Sequence, residues 1–157
     1  LRIINVPRRG IGDATIGKLL EYADSHGLTL FDVVSNPELV EGLTTRAKRP
    51  LESLAELIFN LMPCVDTLPV AELIEKVMND SGYVAELEKE QTPQDEARIE
   101  NLKELLTVAK EFAAADMDNT LENFLSHVSF SSVIKPSAIA IRLLSPRLGK
   151  RFVLRIL

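Results

Sequence analysis

The chain has 157 residues, of which 46% are hydrophobic and 26% charged, and its formal net charge is −5. This composition fits one globular domain and excludes a disordered chain. No apolar run approaches the roughly 18 residues of a membrane span and no segment has the pattern of a secretion signal, so we expect a cytoplasmic protein without a membrane partner. The single cysteine, Cys64, excludes an intrachain disulfide. A start at Leu1 rather than Met favours a segment of a longer protein.

The hydrophobic periodicity is helical almost throughout, which predicts an all-α fold of several helices. A first helix is expected between Asp13, as its N-cap, and Gly27, as its C-terminal stop. The later helices are predicted over residues 29–34, residues 51–61, the stretch from the cap residues Asp66 and Thr67 to Ser81 and Gly82, residues 82–91, residues 94–115, and a last helix capped by Asn119 or Thr120. No convincing alternating strand precedes residue 131.

Charge is distributed unevenly along the chain. Residues 1–50 contain seven Lys or Arg and six Asp or Glu, residues 51–130 contain five and 17, and residues 131–157 contain six and none. A nucleic-acid surface is therefore expected near the N-terminus, away from the acidic middle. The change in composition predicts a helical domain over residues 1–130 and a basic tail over residues 131–157, which contains a candidate strand, KRFVLRIL.

The segment NVPRRGIGDATIGKLL contains a Gly-Ile-Gly turn, Gly10–Gly12, which we call the glycine hairpin. Its glycines permit a tight turn and leave backbone N–H groups uncovered, while Ile11 can turn inward as an apolar anchor. The helix that follows presents N–H groups without intrahelical acceptors, and its dipole favours an anion. With Arg8, Arg9, Thr15 and Lys18 nearby, this pattern is typical of a helix-hairpin-helix element that binds a nucleic-acid backbone, with Leu1 to Asn5 as the end of its first helix. The alternative is a plain turn between two helices.

A weaker echo of the same pattern, EGLTTRAKRPL, begins at residue 41. Gly42 is followed by the hydroxyl of Thr45 and by the cationic side chains of Arg46, Lys48 and Arg49. The echo predicts a second phosphate contact, and the equally acceptable alternative is a solvated basic turn.

Several strings taken together resemble one family. The segment LRIINVPRRGIGDATIGKL is similar to the one that opens the regulatory 2B subdomain of UvrD/PcrA-type superfamily 1 DNA helicases. The resemblance continues in order through EGLTTRAKRPL, DSGYVAELEKE, ARIENLKELLTVAKEF and LENFLSHVS, and it covers roughly residues 1–130. NVPRRGIG, SGY and RIENLKEL at these separations are together quite specific.

The resemblance implies an all-helical regulatory subdomain of an ATP-dependent 3′–5′ helicase of DNA repair and replication. The hairpin of that subdomain touches the backbone of duplex DNA, and its orientation regulates unwinding. Carried over by position, Gly10, Ile11, Gly12 and Thr15 form the hairpin region, and Arg9 and Lys18 become phosphate partners. The matching string that contains Arg98, Glu100 and Asn101 is interpreted as structural, because an acidic helix is a poor DNA contact. The other helicase domains are then the chain's further partners.

No G-x-x-x-x-G-K-[ST] motif occurs in the chain. ATP and Mg²⁺ are therefore expected to be bound elsewhere in the parent helicase, and this chain should bind no cofactor and should not hydrolyse ATP. The tail departs from the family, which carries a helicase motif there. We hypothesise that residues 131–157 are translated from a shifted reading frame, an idea that the nucleotide sequence can test.

Two rival functions use the same residues differently. A helix-hairpin-helix DNA glycosylase also anchors DNA through a glycine hairpin, and Asp32 is its one candidate catalytic residue here. A helical protein-interaction module would instead use the acidic middle of the chain.

His26 and His127 are about a hundred residues apart and have no partner at metal-ligand spacing, so no zinc site is predicted.

Overall fold

The computed structural model of the chain describes residues 3–115 and 119–130, and all regular structure within them is helical. The α-helices of these residues are α1 (Asp13–His26), α2 (Leu30–Ser35), α3 (Thr45–Leu61), α4 (Val70–Asp80), α5 (Tyr83–Glu90), α6 (Pro93–Ala114) and α7 (Leu121–Phe130). Single turns of 3₁₀ helix lie at Pro37–Leu39 and Pro63–Val65. The prediction of an all-α fold is confirmed. The predicted basic tail, residues 131–157, and its candidate strand lie outside the described residues.

Contacts divide the described residues into two compact units, with the boundary between Asn60 and Leu61. In the N-terminal unit α1 packs against α2. Its core consists of buried aliphatic residues from the N-terminal segment, from the three helices and from the loop between α2 and α3: Ile4, Ile11, Leu19, Ala23, Val33, Val34, Val40, Leu51, Leu54, Ala55 and Ile58. The segment before α1 therefore contributes to the same core as the helices.

In the C-terminal unit α4 and α5 both pack against α6 and against each other. The core is formed by α4, α6 and α7, and its buried members are Val70, Ala71, Leu73, Ala109, Phe112, Leu121, Phe124 and Val128. The rings of Phe112 and Phe124 meet edge to face, with centroids 5.5 Å apart. This is a favourable geometry for two aromatic rings, and it fixes α7 on α6.

Local hydrogen bonds explain why α1 ends at His26 and why α2 begins at Leu30. Gly27 has a φ of +63°, and its N–H and that of Leu28 donate to the carbonyls of Asp24 and Ala23. This pair of hydrogen bonds is a Schellman motif, so the predicted stop at Gly27 is confirmed. Thr29 and Asp32 then form a capping box at the start of α2.

Three predicted caps need correction. Gly12 is the N-cap of α1, and Asp13 is the first helical residue, where its carboxylate still favours the helix dipole. Asp66 and Thr67 do not cap α4, whose N-cap is Pro69. The Val70 N–H instead donates to the side-chain oxygen of Asn119, at 3.4 Å. Asp and Thr are good caps only when the helix starts beside them, and here it starts later.

None of the helices in the two described ranges has the length and apolarity needed to cross a bilayer.

The start of α6 contains a buried carboxylate. Asp95 is 3% exposed, its backbone N–H donates to the Thr92 hydroxyl oxygen at 3.2 Å, and the Thr92 hydroxyl donates to its carboxylate. The Arg98 guanidinium donates to the other carboxylate oxygen at 2.9 Å. The Thr92 hydroxyl, with the Arg98 charge beside it, holds the pKa of Asp95 below its ordinary value of 3.8. Arg98 thus forms an ion pair within α6, which agrees with the prediction that the string containing Arg98, Glu100 and Asn101 is structural.

We expect Asp95→Asn to destabilise the protein at pH 7 and to lose that effect in acid. Because the folded state lowers the Asp95 pKa, the stabilisation is complete above the ordinary pKa and disappears as the pH falls through the lower folded value. Urea unfolding at several pH values between 7 and 2 measures the difference between parent and variant. Glu96→Gln is the matched control, since its carboxylate is exposed one residue away. A parent-to-variant difference that stays constant down to pH 2 would contradict this account.

Candidate nucleic-acid interface

The segment that leads into the glycine hairpin is a series of turns between residues 3 and 7. Ile4 is buried and anchors this segment in the core of the N-terminal unit. Residues 3–5 were expected to end a helix, and in the structure they form a turn; Leu1 and Arg2 lie outside the described residues. The helix-hairpin-helix element therefore stays a prediction.

Arg9 lies against this segment. Its Nη1 donates to the carbonyl oxygen of Ile3 at 2.8 Å and to that of Pro7 at 3.2 Å. Its backbone N–H donates to the side-chain oxygen of Asn5 at 2.9 Å. Arg9 is thus engaged with the backbone immediately before the hairpin. The neighbouring Arg8 lies at the surface.

The three residues of the glycine hairpin have three different environments. Gly10 is exposed and has a φ of +73°, a conformation that side chains disfavour. Ile11 is 1% exposed, so the predicted inward anchor is present. Gly12 is exposed with an ordinary extended backbone, φ −76° and ψ 160°, and a Cβ atom placed there would meet nothing within 4 Å. The fold therefore demands glycine at residue 10 but not at residue 12.

The hairpin delivers the chain to the start of α1. The Gly12 carbonyl accepts hydrogen bonds from the N–H groups of Thr15 and Ile16, at 2.9 and 3.1 Å. The preceding N–H groups of Asp13 and Ala14 belong to the first turn and have no intrahelical acceptor. Both residues are exposed, so these donors and the positive end of the helix dipole are available to an anion.

The echo at residue 42 has the same local structure. Gly42 also has a φ of +73°, and two residues later the Thr44 carbonyl accepts from the N–H groups of Ala47 and Lys48, at 2.9 and 3.1 Å. The Thr44 hydroxyl accepts a further bond from the Ala47 N–H. Thr45 and Arg46 occupy the first turn of α3, as Asp13 and Ala14 do in α1, and both are exposed.

The correspondence extends into the two helices. Leu19 and Leu51 stand at matching positions and are both 0% exposed, and Ala23 and Ala55 match in the same way and are both buried. The N-terminal unit therefore contains a glycine turn followed by a helix twice, and two matching positions are buried in both helices.

Lys18 joins the two copies. Its Nζ donates to the Gly42 carbonyl oxygen at 2.7 Å, and its side chain lies at the surface. An ammonium group has three N–H donors, so this bond leaves capacity for an anion. Lys48, in contrast, forms an ion pair with Glu38, and its side chain is only 19% exposed. The structure thus brings Lys18 to the second glycine turn and directs Lys48 to a carboxylate of its own unit.

The residues considered for other chemistry have structural roles. The Asp32 carboxylate accepts from the N–H and the hydroxyl of Thr29, at 2.9 and 2.5 Å, in the capping box of α2. His26 stacks on Tyr22 at the end of α1, with centroids 4.0 Å apart, and His127 lies against Phe112. Cys64 is half-buried in the turn that follows α3. No cluster of three potential metal ligands occurs in the part of the chain that the structure describes.

Sequence reasoning did not identify two of these contacts. Asn5 was not singled out, and its bond to the Arg9 N–H spans four residues, which is longer than the two-residue asparagine turn that a sequence indicates. The pairing of Lys48 with Glu38 joins residues on either side of a loop, and nothing in the sequence pattern indicates it.

The described fold is an all-helical domain in which a glycine turn and the helix after it occur twice. No family model matches the chain. Among curated proteins it is similar to the ATP-dependent DNA helicase PcrA of Bacillus subtilis, with 33% identity over 128 residues, which are 82% of this chain and 17% of that protein. The PcrA proteins of Staphylococcus epidermidis and Leuconostoc citreum are similar at 33% and 37% identity, over 82% and 71% of this chain.

The chain belongs to the UvrD/PcrA-type family of DNA helicases, as the resemblance of its motifs implies. It spans about a sixth of the length of the curated relatives that it matches, 17% and 18% for the Bacillus and Staphylococcus epidermidis proteins and 15% for the Leuconostoc protein.

Proposed function

We propose that this chain is the regulatory 2B-type subdomain of an ATP-dependent 3′–5′ DNA helicase of repair and replication, and that it binds the sugar-phosphate backbone of duplex DNA. The observation that carries the proposal is the repeated motif of the N-terminal unit. Two helix starts expose N–H groups after a glycine turn, and Lys18 of the first copy bonds the glycine turn of the second. Two anion-binding helix starts held together in this way can contact two points of one polyanion.

Each contact has a distinct chemical role in this proposal. The N–H groups of Asp13 and Ala14 bind one phosphate. The Thr15 hydroxyl belongs to the same first turn, and the Lys18 ammonium follows about one turn further along the helix. At the second copy, Thr45 and Arg46 supply a hydroxyl and a guanidinium beside the first N–H groups of α3. None of these groups reads a base edge, so binding is independent of sequence.

The same residues limit the affinity. The exposed Asp13 carboxylate stands in the first turn of α1 and repels a phosphate, while Lys48 is already paired with Glu38. The acidic residues between 51 and 130 add a repulsive field. Weak binding suits a subdomain whose orientation regulates unwinding while other domains of the helicase hold the DNA. ATP and Mg²⁺ bind those other domains in this proposal.

The expected affinity is in the non-specific range, a Kd of roughly 10⁻⁴ M or weaker at physiological salt. Two or three cationic phosphate contacts predict a log-log salt slope of about −2 to −3, a preference for duplex over single strand, and no dependence on sequence. Fluorescence anisotropy of labelled duplexes, titrated with the full chain at two salt concentrations, measures all three. Lowering the salt fourfold should tighten binding by about 16- to 64-fold for these slopes. Absence of binding at low salt, or a slope near zero, would refute the proposal.

A further inference from the structure

The hydrogen bonds around Arg9 involve most of the residues that precede the glycine hairpin. The carbonyls of Ile3 and Pro7 accept from the guanidinium, and the Asn5 side chain accepts from the Arg9 N–H. The Ile3 carbonyl also accepts from the Val6 N–H at 3.3 Å. The segment from residue 3 to residue 9, which has no helix or strand, is thereby held together by two bonds of the Arg9 side chain, one bond of its backbone N–H and one turn bond.

This cross-linked segment ends at the hairpin itself. Arg9 is bonded through both its side chain and its backbone, and the next residue, Gly10, has the left-handed φ of +73° that turns the chain. The buried side chain of Ile4 anchors the segment near its start, and that of Ile11 anchors the chain just after it. The direction in which Gly12 and the first N–H groups of α1 face therefore depends on the bonds made by Asn5 and Arg9.

We propose that Asn5 and Arg9 are positioning residues, which hold the glycine hairpin in the orientation that contacts a phosphate. Arg9 acts through the carbonyls of Ile3 and Pro7 and not as a phosphate ligand. This inference rests on the proposed function and assigns a different role to Arg9 from the one implied by resemblance alone. It also assigns a role to Asn5. Asn5 is neutral, so it would have no role if binding depended on charge alone.

The side-chain chemistry fits this role. One Nη of a guanidinium carries two N–H groups, and here Nη1 donates to two carbonyls. The planar guanidinium fixes the directions of those bonds, and its Nη atoms lie one bond further from Cα than the Nζ atom of a lysine does. A lysine would keep the charge but would not reproduce the geometry, which allows charge and position to be tested separately.

The test compares the duplex affinity of Asn5→Ala, Arg9→Lys and Gly12→Val in the full chain at low salt, with Val6→Ala as the neutral control in the same segment. Neither of the first two substitutions changes the net charge. Each should weaken binding about fivefold, in line with the loss of one hydrogen bond, and should leave the salt slope unchanged. Val6→Ala should bind like the parent, because Val6 is exposed and contributes its backbone N–H alone to the segment.

A double-variant comparison shows whether these residues act through the hairpin. Combined with Gly12→Val, Asn5→Ala should weaken binding no further, because the hairpin contact is already lost. Circular dichroism at the titration temperature verifies that each variant is folded, and should Asn5→Ala be unfolded, Arg9→Lys decides alone. If Gly12→Val weakens binding while Asn5→Ala and Arg9→Lys bind like the parent, the positioning role is refuted and the proposed function stands. If Gly12→Val also binds like the parent, both fail.

Discussion

Gly12→Val should reduce duplex affinity by at least about tenfold while leaving the helices folded. The valine side chain would project into the exposed space in front of the first N–H groups of α1, where a phosphate must approach closely. The protein itself accommodates it, because residue 12 has an extended backbone and a Cβ there meets no other atom within 4 Å. As an N-cap, valine is inferior to glycine, at a cost of about 0.5–1 kcal/mol in unfolding free energy.

Gly17→Val is the matched control for this experiment. Gly17 is also exposed, a Cβ there also meets nothing within 4 Å, and it lies inside the same helix, away from the helix start. Its duplex affinity should stay close to that of the parent, and the helix should tolerate the change because valine is a better helix former than glycine. Anisotropy titrations at low salt give both affinities. Equal binding by Gly12→Val and the parent would mean that the hairpin is only a turn.

Phe124→Ala should lower the free energy of unfolding by about 3–5 kcal/mol. Phe124 is 1% exposed in α7, and its ring meets that of Phe112 of α6 edge to face. Removing the ring opens a cavity between two helices that the surrounding side chains fill only in part. Natural domains are stable by about 5–15 kcal/mol, so this one change removes a large share, and the thermal midpoint should fall by about 10 °C.

Phe124→Leu separates the packing of the ring from its burial. Leucine keeps much of the apolar volume and loses the aromatic contact, so its effect should be clearly smaller than that of alanine. Thermal and urea unfolding followed by circular dichroism measure both variants. A loss below about 1 kcal/mol for Phe124→Ala would show that α7 does not depend on this core.

The sequence predicts α1 and α6 well because their signals are local, whereas α3 begins at Thr45, well before the predicted residue 51. The apolar stripe from Ile99 to Phe112 and the acidic first turn specify α6, and Gly27 ends α1 because only a left-handed residue closes the Schellman motif. The Gly-Ile-Gly turn and the inward Ile11 are local as well, since they depend on three adjacent residues. The family follows from the order of several such strings.

The misplaced caps of α4 and the contacts that the sequence did not indicate both concern choices between competing partners. Asp66 and Thr67 are both acceptable caps, but α4 starts at Val70, whose N–H finds Asn119 some fifty residues away. Lys48 has the sequence context of a phosphate ligand, yet Glu38 lies within ion-pair distance in the folded unit. Arg9 has the same context and bonds backbone carbonyls that only the folded turn brings to it. A single sequence does not rank these partners, because the tertiary fold sets their distances.

The three glycines of the repeated motif face different selective constraints. At Gly10 the constraint comes from the backbone alone, because φ is +73° and the surrounding space is open. At Gly42 the same φ applies, and an added Cβ would also come within 3.0 Å of the Lys18 ammonium. At Gly12 neither constraint exists inside the chain. A library screened for folding alone would therefore accept many residues at position 12, at the modest cost of a poorer N-cap, and would strongly favour glycine at positions 10 and 42. A strict requirement for glycine at position 12 in a living cell would then point to a contact made outside the described residues.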